Sequence, residues 1–220
     1  MILITGASSG LGAALAALYA QDGQTVVITG RDQTRLQQIS AGATNIQAIA
    51  ADLSSETSVI SLLNKVPQQP SSVIHCAGSG YFGPIENQTA DEITKLLNNN
   101  VTSTILLVRE LVKRYRDQEV NLVIVMSTAA LAAKAGESTY CAAKWAVRGF
   151  IESIRLELKD APMKLIAVYP GGMDTGFWPS SGKVLDTSSF MSADEAAGML
   201  KQALVATEHG YIADITIQRG

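Results

Sequence analysis

The sequence has little that would indicate disulfide bonds, metal ligation or nucleic-acid binding. It contains two cysteines, Cys76 and Cys141, and they lack the paired spacing of a zinc site or a redox motif. Both are therefore interpreted as small core residues in a reducing compartment. The 17 lysines and arginines nearly balance the 20 aspartates and glutamates, and no basic cluster occurs. We expect no metal site and no nucleic-acid partner, because nucleic-acid binding depends on concentrated positive charge.

Long hydrophobic runs are also missing. The first residues, 1–6, have neither the basic leader nor the apolar stretch of a secretory signal, and later apolar stretches are interrupted by polar residues. These absences predict a cytoplasmic protein that does not contact a membrane. With 220 residues, of which 47% are hydrophobic, the chain can bury a sizeable core. No repeat or linker divides it, so a single domain over 1–220 is the expected organisation.

Short runs rich in valine and isoleucine alternate with longer segments of helical period. The predicted strands are 1–5, 25–29, 46–50, 72–76, 121–127, 164–169 and 211–217. The predicted helices are 11–21, 33–39, 55–65, 90–116, 139–159 and 193–206. This alternation is typical of an α/β fold with helices on both faces of a parallel sheet. It predicts a three-layer α/β/α sandwich with a seven-stranded parallel sheet.

Two of the helices are preceded by the pattern of a capping box. Thr89 pairs with Glu92 before the fourth helix, and Ser192 pairs with Glu195 before the sixth. In such a box the hydroxyl accepts a hydrogen bond from the N–H of the acidic residue, and the carboxylate accepts one in return from the first residue's N–H. Both helix starts are therefore predicted from local hydrogen bonding as well as from periodicity.

The first strand runs directly into a glycine-rich turn, after which the pattern becomes helical. Gly6 suits a tight turn, Gly10 leaves room for a pyrophosphate against the backbone, and Gly12 allows close packing of helix on strand. The free N–H groups and the positive dipole end of the helix would face the phosphates. The turn therefore predicts a Rossmann-type dinucleotide site, unless the glycines only punctuate the strand-to-helix turn. The other residues of the turn expected to contact the cofactor are Ser8, Ser9 and Leu11.

The spacing of this turn, Thr-Gly-x-x-x-Gly-x-Gly, resembles the fingerprint of the short-chain dehydrogenase/reductase family and differs from the common G-x-G-x-x-G. The resemblance implies an oxidoreductase that moves a hydride between a nicotinamide cofactor and the carbonyl or secondary-alcohol carbon of a small-molecule substrate. It also implies a homodimer or homotetramer, since relatives commonly pair through the helices predicted at 90–116 and 139–159.

The end of the second strand bears on the choice of cofactor. An acidic residue that would bind the ribose 2′-hydroxyl of NAD is expected there, but the chain has Gly30 and Arg31. The Arg31 guanidinium suits a 2′-phosphate, as in family members that prefer NADP, so NADP(H) is predicted and NAD(H) is the second choice. Alternatively, Arg31 is an ordinary solvated charge. Asp32 is interpreted as a helix N-cap, although its carboxylate could also repel a phosphate.

Tyr140 and Lys144 form a Tyr-x-x-x-Lys pair, whose spacing puts both side chains on one helix face. An ammonium about 4 Å from a phenolate would attract it by roughly 4 kcal/mol at an effective dielectric near 20. That would lower the phenol pKa by about 3 units, to near 7, where tyrosine can act as general acid or base. Ser127 is predicted to close the fifth strand 13 residues before Tyr140 and to orient the substrate oxygen, with Thr128 as its substitute. The family's catalytic serine, tyrosine and lysine are similar in position, and the resemblance implies that the lysine also holds the nicotinamide ribose.

Three asparagines, 98–100, interrupt the helix predicted at 90–116, because asparagine is a poor helix former. Asn100 resembles the family's fourth catalytic residue, an asparagine whose backbone carbonyl holds a water in a proton relay to the lysine. The alternative is a helix irregularity with solvent-facing amides. Asn98 and Asn99 have no assigned role.

Further segments that follow strands resemble the family's cofactor contacts. His75 and Cys76 replace two asparagines of the family pattern, and His75 is interpreted as a buried core histidine rather than a base. His209 is expected at the surface. The residues for which the resemblance implies contact with the cofactor are Asp52, Leu53, Cys76, Ala77, Gly78, Asn100, Tyr140, Lys144, Pro170, Gly171, Met173 and Thr175.

A short substrate lid is expected over 175–192. The main alternative function is a regulator that senses NAD(P)H without turnover, since fold does not fix function. A sugar-nucleotide epimerase of the extended relatives would need more than the 50 residues that follow Pro170. The candidate apolar walls of the substrate pocket are Tyr81, Phe82, Phe177, Trp178, Phe190 and Met191.

Overall fold

The structure is a computed structural model, in which residues 1–205 and 210–219 are described. His209 therefore lies outside the described residues. The strands of the described part are β1 (Ile2–Thr5), β2 (Val26–Gly30), β3 (Ile46–Ala50), β4 (Ser72–His75), β5 (Asn121–Val125), β6 (Lys164–Pro170), β7 (Met173–Asp174), β8 (Met191–Ser192) and β9 (Asp214–Ile217). The central sheet has seven of them in the order β3-β2-β1-β4-β5-β6-β9, and every neighbouring pair is parallel. The predicted seven-stranded parallel sheet is confirmed.

The strand order reverses between β1 and β4, which lie side by side in the middle of the sheet. On one side, β2 lies next to β1 and β3 lies at the edge. On the other side, β5, β6 and β9 lie in turn beyond β4. A crevice opens at such a reversal, outside the carboxyl ends of the strands, and open α/β sheets bind their ligands there. The chain order of the strands therefore fixes where a ligand site can form.

Helices cover both faces of the sheet. They are α1 (Gly10–Gln21), α2 (Gln33–Ser40), α3 (Glu56–Lys65), α4 (Ala90–Leu97), α5 (Ser103–Tyr115), α6 (Ser138–Glu157), α7 (Phe177–Ser180) and α8 (Ala193–Ala203). One buried cluster joins the sheet to α3, α5 and α6, and a second joins it to α1, α2 and α8. The three-layer α/β/α arrangement is confirmed. None of the helices within residues 1–205 and 210–219 carries an apolar stretch of the length that spanning a bilayer requires.

The helix predicted at 90–116 is interrupted where the asparagines occur. Between α4 and α5 the backbone forms a π-helical turn over Asn98–Thr102, so the chain continues in the same direction with one wider turn. The side chains of Ser103 and Thr104 donate hydrogen bonds to the Asn99 and Asn100 carbonyl groups one turn earlier. The predicted irregularity is confirmed, but Asn100 is buried rather than solvent-facing.

Several element ends differ from their predicted positions. β5 ends at Val125, so Ser127 does not close the strand; it caps a short 3-10 helix over Thr128–Ala130. β9 begins at Asp214, three residues later than predicted, and α8 ends at Ala203. The short helix α7 was not predicted, since its four residues are too few to show a helical period.

Only one of the two predicted capping boxes is complete. Ser192 and Glu195 exchange both hydrogen bonds, as predicted. The Thr89 hydroxyl accepts from the Glu92 N–H at 3.3 Å, but the Glu92 carboxylate pairs with Lys95 at 3.1 Å instead of returning to the cap. The box predicted at Thr89 is therefore wrong in its return bond, because a cation one turn along the helix competes for the Glu92 carboxylate.

Candidate functional site

A cavity of about 540 Å³ lies at the carboxyl ends of the central strands. Its lining includes the residue that directly follows each of the first six strands: Gly6, Arg31, Ala51, Cys76, Met126 and Gly171. The predicted site residues that line it are Gly6, Ser8, Ser9, Gly10, Leu11, Gly12, Arg31, Asp52, Leu53, Cys76, Ala77, Gly78, Ser127, Tyr140, Lys144, Pro170, Gly171, Met173 and Thr175. Asn100 does not line the cavity; it is 1% exposed and lies behind the wall.

The glycine-rich turn forms one end of the cavity. Gly6 has a φ of 66°, and a Cβ there would lie 2.5 Å from the Ala77 nitrogen. A Cβ on Gly12 would lie 2.6 Å from the Gly6 carbonyl oxygen, so both positions exclude any side chain. Ser9 precedes α1 without a side-chain capping bond, which leaves the first N–H groups of the helix to face the cavity. A helix end of this kind fits a pyrophosphate group.

We predict that Gly6→Ala destabilises the protein more than Gly23→Ala does. Both glycines have positive φ, which costs an alanine about 1–2 kcal/mol, but a Cβ on Gly23 would meet nothing within 4 Å. The clash with Ala77 should raise the loss at Gly6 to about 2–5 kcal/mol. Urea unfolding of the two variants measures the difference, and equal losses would contradict the close contact between the turn and the segment after β4.

The cationic side of the cavity follows β2. Arg31 is exposed, and its guanidinium donates to the Asn99 side-chain oxygen at 3.3 Å. Asp32 caps α2, accepting from the Arg35 N–H at 3.0 Å, and its other oxygen pairs with the Arg35 guanidinium at 3.2 Å. The N-cap interpretation of Asp32 is confirmed. Arg31 and Arg35 both line the cavity, so two guanidinium groups, which can bind an anionic group, border it after β2.

Asp52 lies beside these cations after β3. Its carboxylate accepts hydrogen bonds from the Ser54 N–H at 3.0 Å and from the Ser54 hydroxyl at 2.7 Å. These bonds, together with the charge of Arg31, lower the pKa of Asp52 despite a small opposing effect of burial. The side chain is therefore a charged acceptor at neutral pH.

Ser127, Tyr140 and Lys144 come together at the other end of the cavity. Tyr140 and Lys144 lie in the first two turns of α6, each 6% exposed, and the Lys144 nitrogen is 5.5 Å from the centre of the Tyr140 ring. The Ser127 hydroxyl lies beside the Tyr140 phenol and accepts a hydrogen bond from the Ala129 N–H at 3.1 Å. Thr128 accepts from Lys134 instead and does not line the cavity, so it does not substitute for Ser127.

The expectation that Lys144 lowers the pKa of Tyr140 to near 7 is wrong for this arrangement. Burial raises the pKa of Tyr140 above its ordinary value, the Ser127 hydrogen bond lowers it, and the nearby Glu137 carboxylate raises it further. Burial also lowers the pKa of Lys144 to about 8. Desolvation is therefore the largest cause of both pKa shifts, and both groups are protonated at neutral pH.

The expected lid, 175–192, begins directly after β7 and ends with β8. These two strands form a small parallel sheet, in which Met173 pairs with Met191. Between these strands, Lys183 reaches the start of α6 and pairs with Glu137 at 3.0 Å. Three aromatic side chains line the cavity at this end, and two of them pack on the Tyr140 ring, with centroids 5.3 Å and 5.9 Å away. They are Phe82, Phe177 and Trp178, of which Phe82 and Phe177 contact Tyr140.

The other three candidate walls pack elsewhere. Tyr81 packs beside the small cluster that contains Tyr140 but does not line the cavity. Phe190 packs edge-on against Trp178, and Met191 belongs to the core between the sheet and α8. The apolar composition of the segment indicated a wall but not which side chains turn inward.

Comparison with known proteins decides the family. A model of the short chain dehydrogenase family matches residues 1–185. The chain belongs to the short-chain dehydrogenase/reductase family. A crystal structure of a short-chain dehydrogenase/reductase from Vibrio parahaemolyticus is 52% identical, with a TM-score of 0.93 and 100% of both chains covered.

Two curated relatives of this short-chain dehydrogenase/reductase have named activities. Sepiapterin reductase from Chlorobaculum tepidum is 26% identical over 99% of this chain and 95% of its own. NADPH-dependent pterin aldehyde reductase from Arabidopsis thaliana is 28% identical over 79% of this chain and 75% of its own. The chain is therefore an oxidoreductase of this family.

In this family member, His75 and Cys76 occupy the end of β4 and the residue after it. His75 is 1% exposed, and burial together with the charge of Lys144 lowers its pKa to about 3. It is neutral at physiological pH and cannot serve as a base there, in agreement with the core interpretation. Cys76 lines the cavity, whereas Cys141 is buried, and desolvation raises the pKa of the Cys76 thiol to about 12. Cys76 therefore packs against the core, as interpreted, and at the same time forms an unreactive part of the cavity wall.

Sequence reasoning missed three polar residues of the site. Glu137 is 5% exposed, lines the cavity and lies three residues before Tyr140. Arg35 follows Arg31 at a spacing of four, a signal that was available in the sequence. Asn99 had no assigned role, yet it lines the cavity and links Arg31 to the Ser79 hydroxyl.

Proposed function

We propose that the protein is an NADP(H)-dependent reductase that transfers a hydride between nicotinamide and a carbonyl or secondary-alcohol carbon. One observation carries the proposal: Ser127, Tyr140 and Lys144 face the same cavity as the glycine-rich turn and Arg31. A dinucleotide lying along that cavity would have its phosphates at the start of α1 and its far end beside the Tyr140 phenol. Gly10, which lines the cavity without a side chain, fits close approach of such a ligand.

Each side chain has a role in this proposal that follows from its protonation. The bound cofactor supplies the hydride. Tyr140 has a raised pKa and is protonated at neutral pH, so it can give its proton to the carbonyl oxygen that becomes the alcohol. Ser127 donates a hydrogen bond to the same oxygen and orients it. Lys144, with a pKa of about 8, holds the ribose and can return a proton to the phenolate, supplied through a water at the Asn100 carbonyl.

The preference for NADP(H) rests on Arg31 and Arg35. A 2′-phosphate carries more negative charge than a hydroxyl, and guanidinium groups bind it with paired hydrogen bonds. Asp32 faces Arg35 and the helix start, which reduces its repulsion of a phosphate. The name of the NADPH-dependent relative agrees with this choice. NAD(H) is the second choice.

We predict that Arg31→Ala weakens NADPH binding about tenfold or more, since a charge-assisted hydrogen bond contributes about 1.5–3 kcal/mol. NADH binding should change less than about twofold, because NADH has no 2′-phosphate. Fluorescence titration with both nucleotides measures the two effects in one variant. Arg109→Ala is the control, since Arg109 pairs with Glu56 outside the cavity. Equal losses for NADPH and NADH would contradict the assignment of Arg31.

The substrate that we propose carries its carbonyl on a flat ring. Phe82, Phe177 and Trp178 form an aromatic wall at Tyr140, and ring faces pack well on such walls. Two relatives are named as reductases of pterin compounds, which contain flat heterocycles. We therefore propose pterin carbonyl compounds as the first candidates to test.

The test is NADPH oxidation over a panel of aldehydes and ketones that includes pterin, benzylic and aliphatic members. We expect turnover, with kcat/KM higher for ring-bearing carbonyls than for aliphatic ones of equal size. NADPH binding without turnover across the panel would contradict the enzyme and favour a cofactor-sensing regulator.

We also propose a single domain over 1–220 with a lid over 175–192, located in the cytoplasm. A homodimer or homotetramer is proposed through α4, α5 and α6, since Trp145 and Leu156 are exposed on the outer surface of α6. Light scattering of the purified protein measures the oligomeric state, and a monomer would contradict the proposed assembly.

A further inference from the structure

A chain of hydrogen bonds runs through the core behind the cavity wall. The Thr5 hydroxyl lies 2.7 Å from His75 Nδ1, and His75 Nε2 lies 3.0 Å from the Thr104 hydroxyl. The Thr104 hydroxyl in turn lies 2.6 Å from the Asn100 carbonyl oxygen. All four residues are at most 2% exposed, so bulk solvent does not reach these bonds. We call this series the Thr5–Asn100 chain.

The direction of every bond in the Thr5–Asn100 chain can be deduced. A carbonyl oxygen only accepts, so the single Thr104 hydroxyl proton is given to Asn100. The Thr104 oxygen must then accept from His75 Nε2–H. A neutral imidazole has one donor and one acceptor nitrogen, so Nδ1 accepts from the Thr5 hydroxyl. All three bonds therefore point toward the Asn100 carbonyl, and aligned hydrogen bonds polarise and strengthen one another.

Asn100, the last residue of the Thr5–Asn100 chain, lies close to Lys144 through its side chain. A Cβ on Gly78 would lie 2.8 Å from the Asn100 side-chain oxygen and 3.3 Å from the Lys144 nitrogen, so both groups border one glycine. The Asn100 amide nitrogen donates to the Ser79 and Leu96 carbonyl groups, each at 2.9 Å. The residue is thus held on its side chain by two bonds and on its backbone by Thr104. The π-helical turn at Asn98–Thr102 gives the helix its local shape at this point.

We propose that His75 is a positioning residue, which acts through Thr104 to fix the backbone carbonyl of Asn100, the residue whose side-chain oxygen borders Gly78 together with Lys144. This role rests on the proposed function, in which that carbonyl holds the water that supplies protons to Lys144. A neutral imidazole is suited to the task because it both accepts and donates in fixed directions. Where the family pattern has an asparagine, this protein has a histidine on β4 whose ring links Thr5 of β1 to Thr104 in the first turn of α5.

The direction of the chain is tested without any activity. The protein has two histidines, so the His75→Gln variant assigns the signals of His75 in a nitrogen NMR spectrum of histidine-labelled protein. We expect the Nε2–H tautomer, with no titration between about pH 5 and pH 9. An Nδ1–H tautomer, or titration near an ordinary histidine pKa of about 6.5, would overturn the proposal.

The positioning role is tested by variants at Thr104. Thr104→Val removes the hydroxyl at nearly constant volume, and Thr104→Ser keeps it. Thr102→Val is the control, because the Thr102 hydroxyl bonds only the Asn98 side chain, at 3.2 Å, among the described contacts. We expect Thr104→Val to lower kcat about tenfold, with a larger solvent deuterium isotope effect and unchanged KM values, as general acid–base steps contribute about 10²–10⁴-fold. Thr104→Ser and Thr102→Val should keep the kcat and isotope effect of the wild type.

The outcomes separate the two proposals. An active wild type whose isotope effect is unchanged in Thr104→Val would overturn the positioning role alone, even if the variant unfolds at a lower temperature. A wild type that turns over no carbonyl substrate would overturn the proposed function and the positioning role with it. The tautomer of His75 is measured independently in both cases.

Discussion

Replacing Tyr140 with phenylalanine is expected to lower kcat for carbonyl reduction about 10³-fold or more, because general acid–base catalysis contributes about 10²–10⁴-fold. The ring remains and keeps its contacts with Phe82 and Phe177, so the shape of the cavity is preserved. Only the hydroxyl that would donate the proton is lost. NADPH binding should change by less than about twofold, since no phosphate contact depends on the phenol.

The control for this variant is Tyr169→Phe. Tyr169 of β6 is 3% exposed, and its hydroxyl donates a hydrogen bond to the carboxylate of Asp214 of β9 at 3.1 Å. Neither residue lines the cavity. Steady-state kinetics with the best substrate of the carbonyl panel should show near wild-type kcat for this control. A Tyr140→Phe variant with more than a tenth of the wild-type kcat would remove the phenol from the proposed reaction.

Replacing Lys144 with methionine is expected to abolish turnover and at the same time to stabilise the protein without cofactor. Among the described residues, the Lys144 ammonium has no ion-pair partner, and burial lowers its pKa from 10.5 to about 8. A buried charge replaced by an apolar side chain of similar volume gives about 1–4 kcal/mol of stability. For a chain of this size, each kcal/mol corresponds to about 2–4 °C in Tm.

The stabilisation should depend on pH in a defined direction. The folded pKa of Lys144 is lower than its unfolded value, so between about 8 and 10.5 the unfolded chain binds more protons and wild-type stability rises with pH. The wild type is therefore penalised fully below pH 8, and the advantage of Lys144→Met disappears as the pH approaches 10.5. Thermal unfolding across this range measures it, with the exposed Lys113→Met as the control. A variant that is less stable than the wild type at pH 7 would contradict the unfavourable burial of the ammonium.

The elements that carry the site were predictable because their signals are local. Runs of valine and isoleucine predicted the strands, and the glycine spacing predicted a turn where Gly6 and Gly12 indeed allow no Cβ. Tyr140 and Lys144 share a helix face because their spacing of four residues requires it. Arg35 could have been found by the same rule applied from Arg31.

Other features depend on distances and burial, which a sequence does not contain. The expected acidic phenol assumed a charged ammonium about 4 Å away in a moderately polar medium. In the folded chain both groups are buried, and desolvation raises the pKa of Tyr140 and lowers that of Lys144. The Glu137 carboxylate, brought to the cavity by the start of α6, acts in the opposite direction. The hydrogen bonds of His75 likewise join segments 70 and 29 residues apart, which no local pattern reveals.

The pairing of β7 with β8 has a consequence for how this scaffold can change its chemistry. The pairing of Met173 with Met191 holds the two ends of the lid together, so the segment between them is a loop whose ends are fixed. The entropy of closing such a loop grows only slowly with its length. We therefore expect that the segment 176–190 can be exchanged or lengthened in a way that alters the end of the cavity at Tyr140 more than the glycine-rich turn.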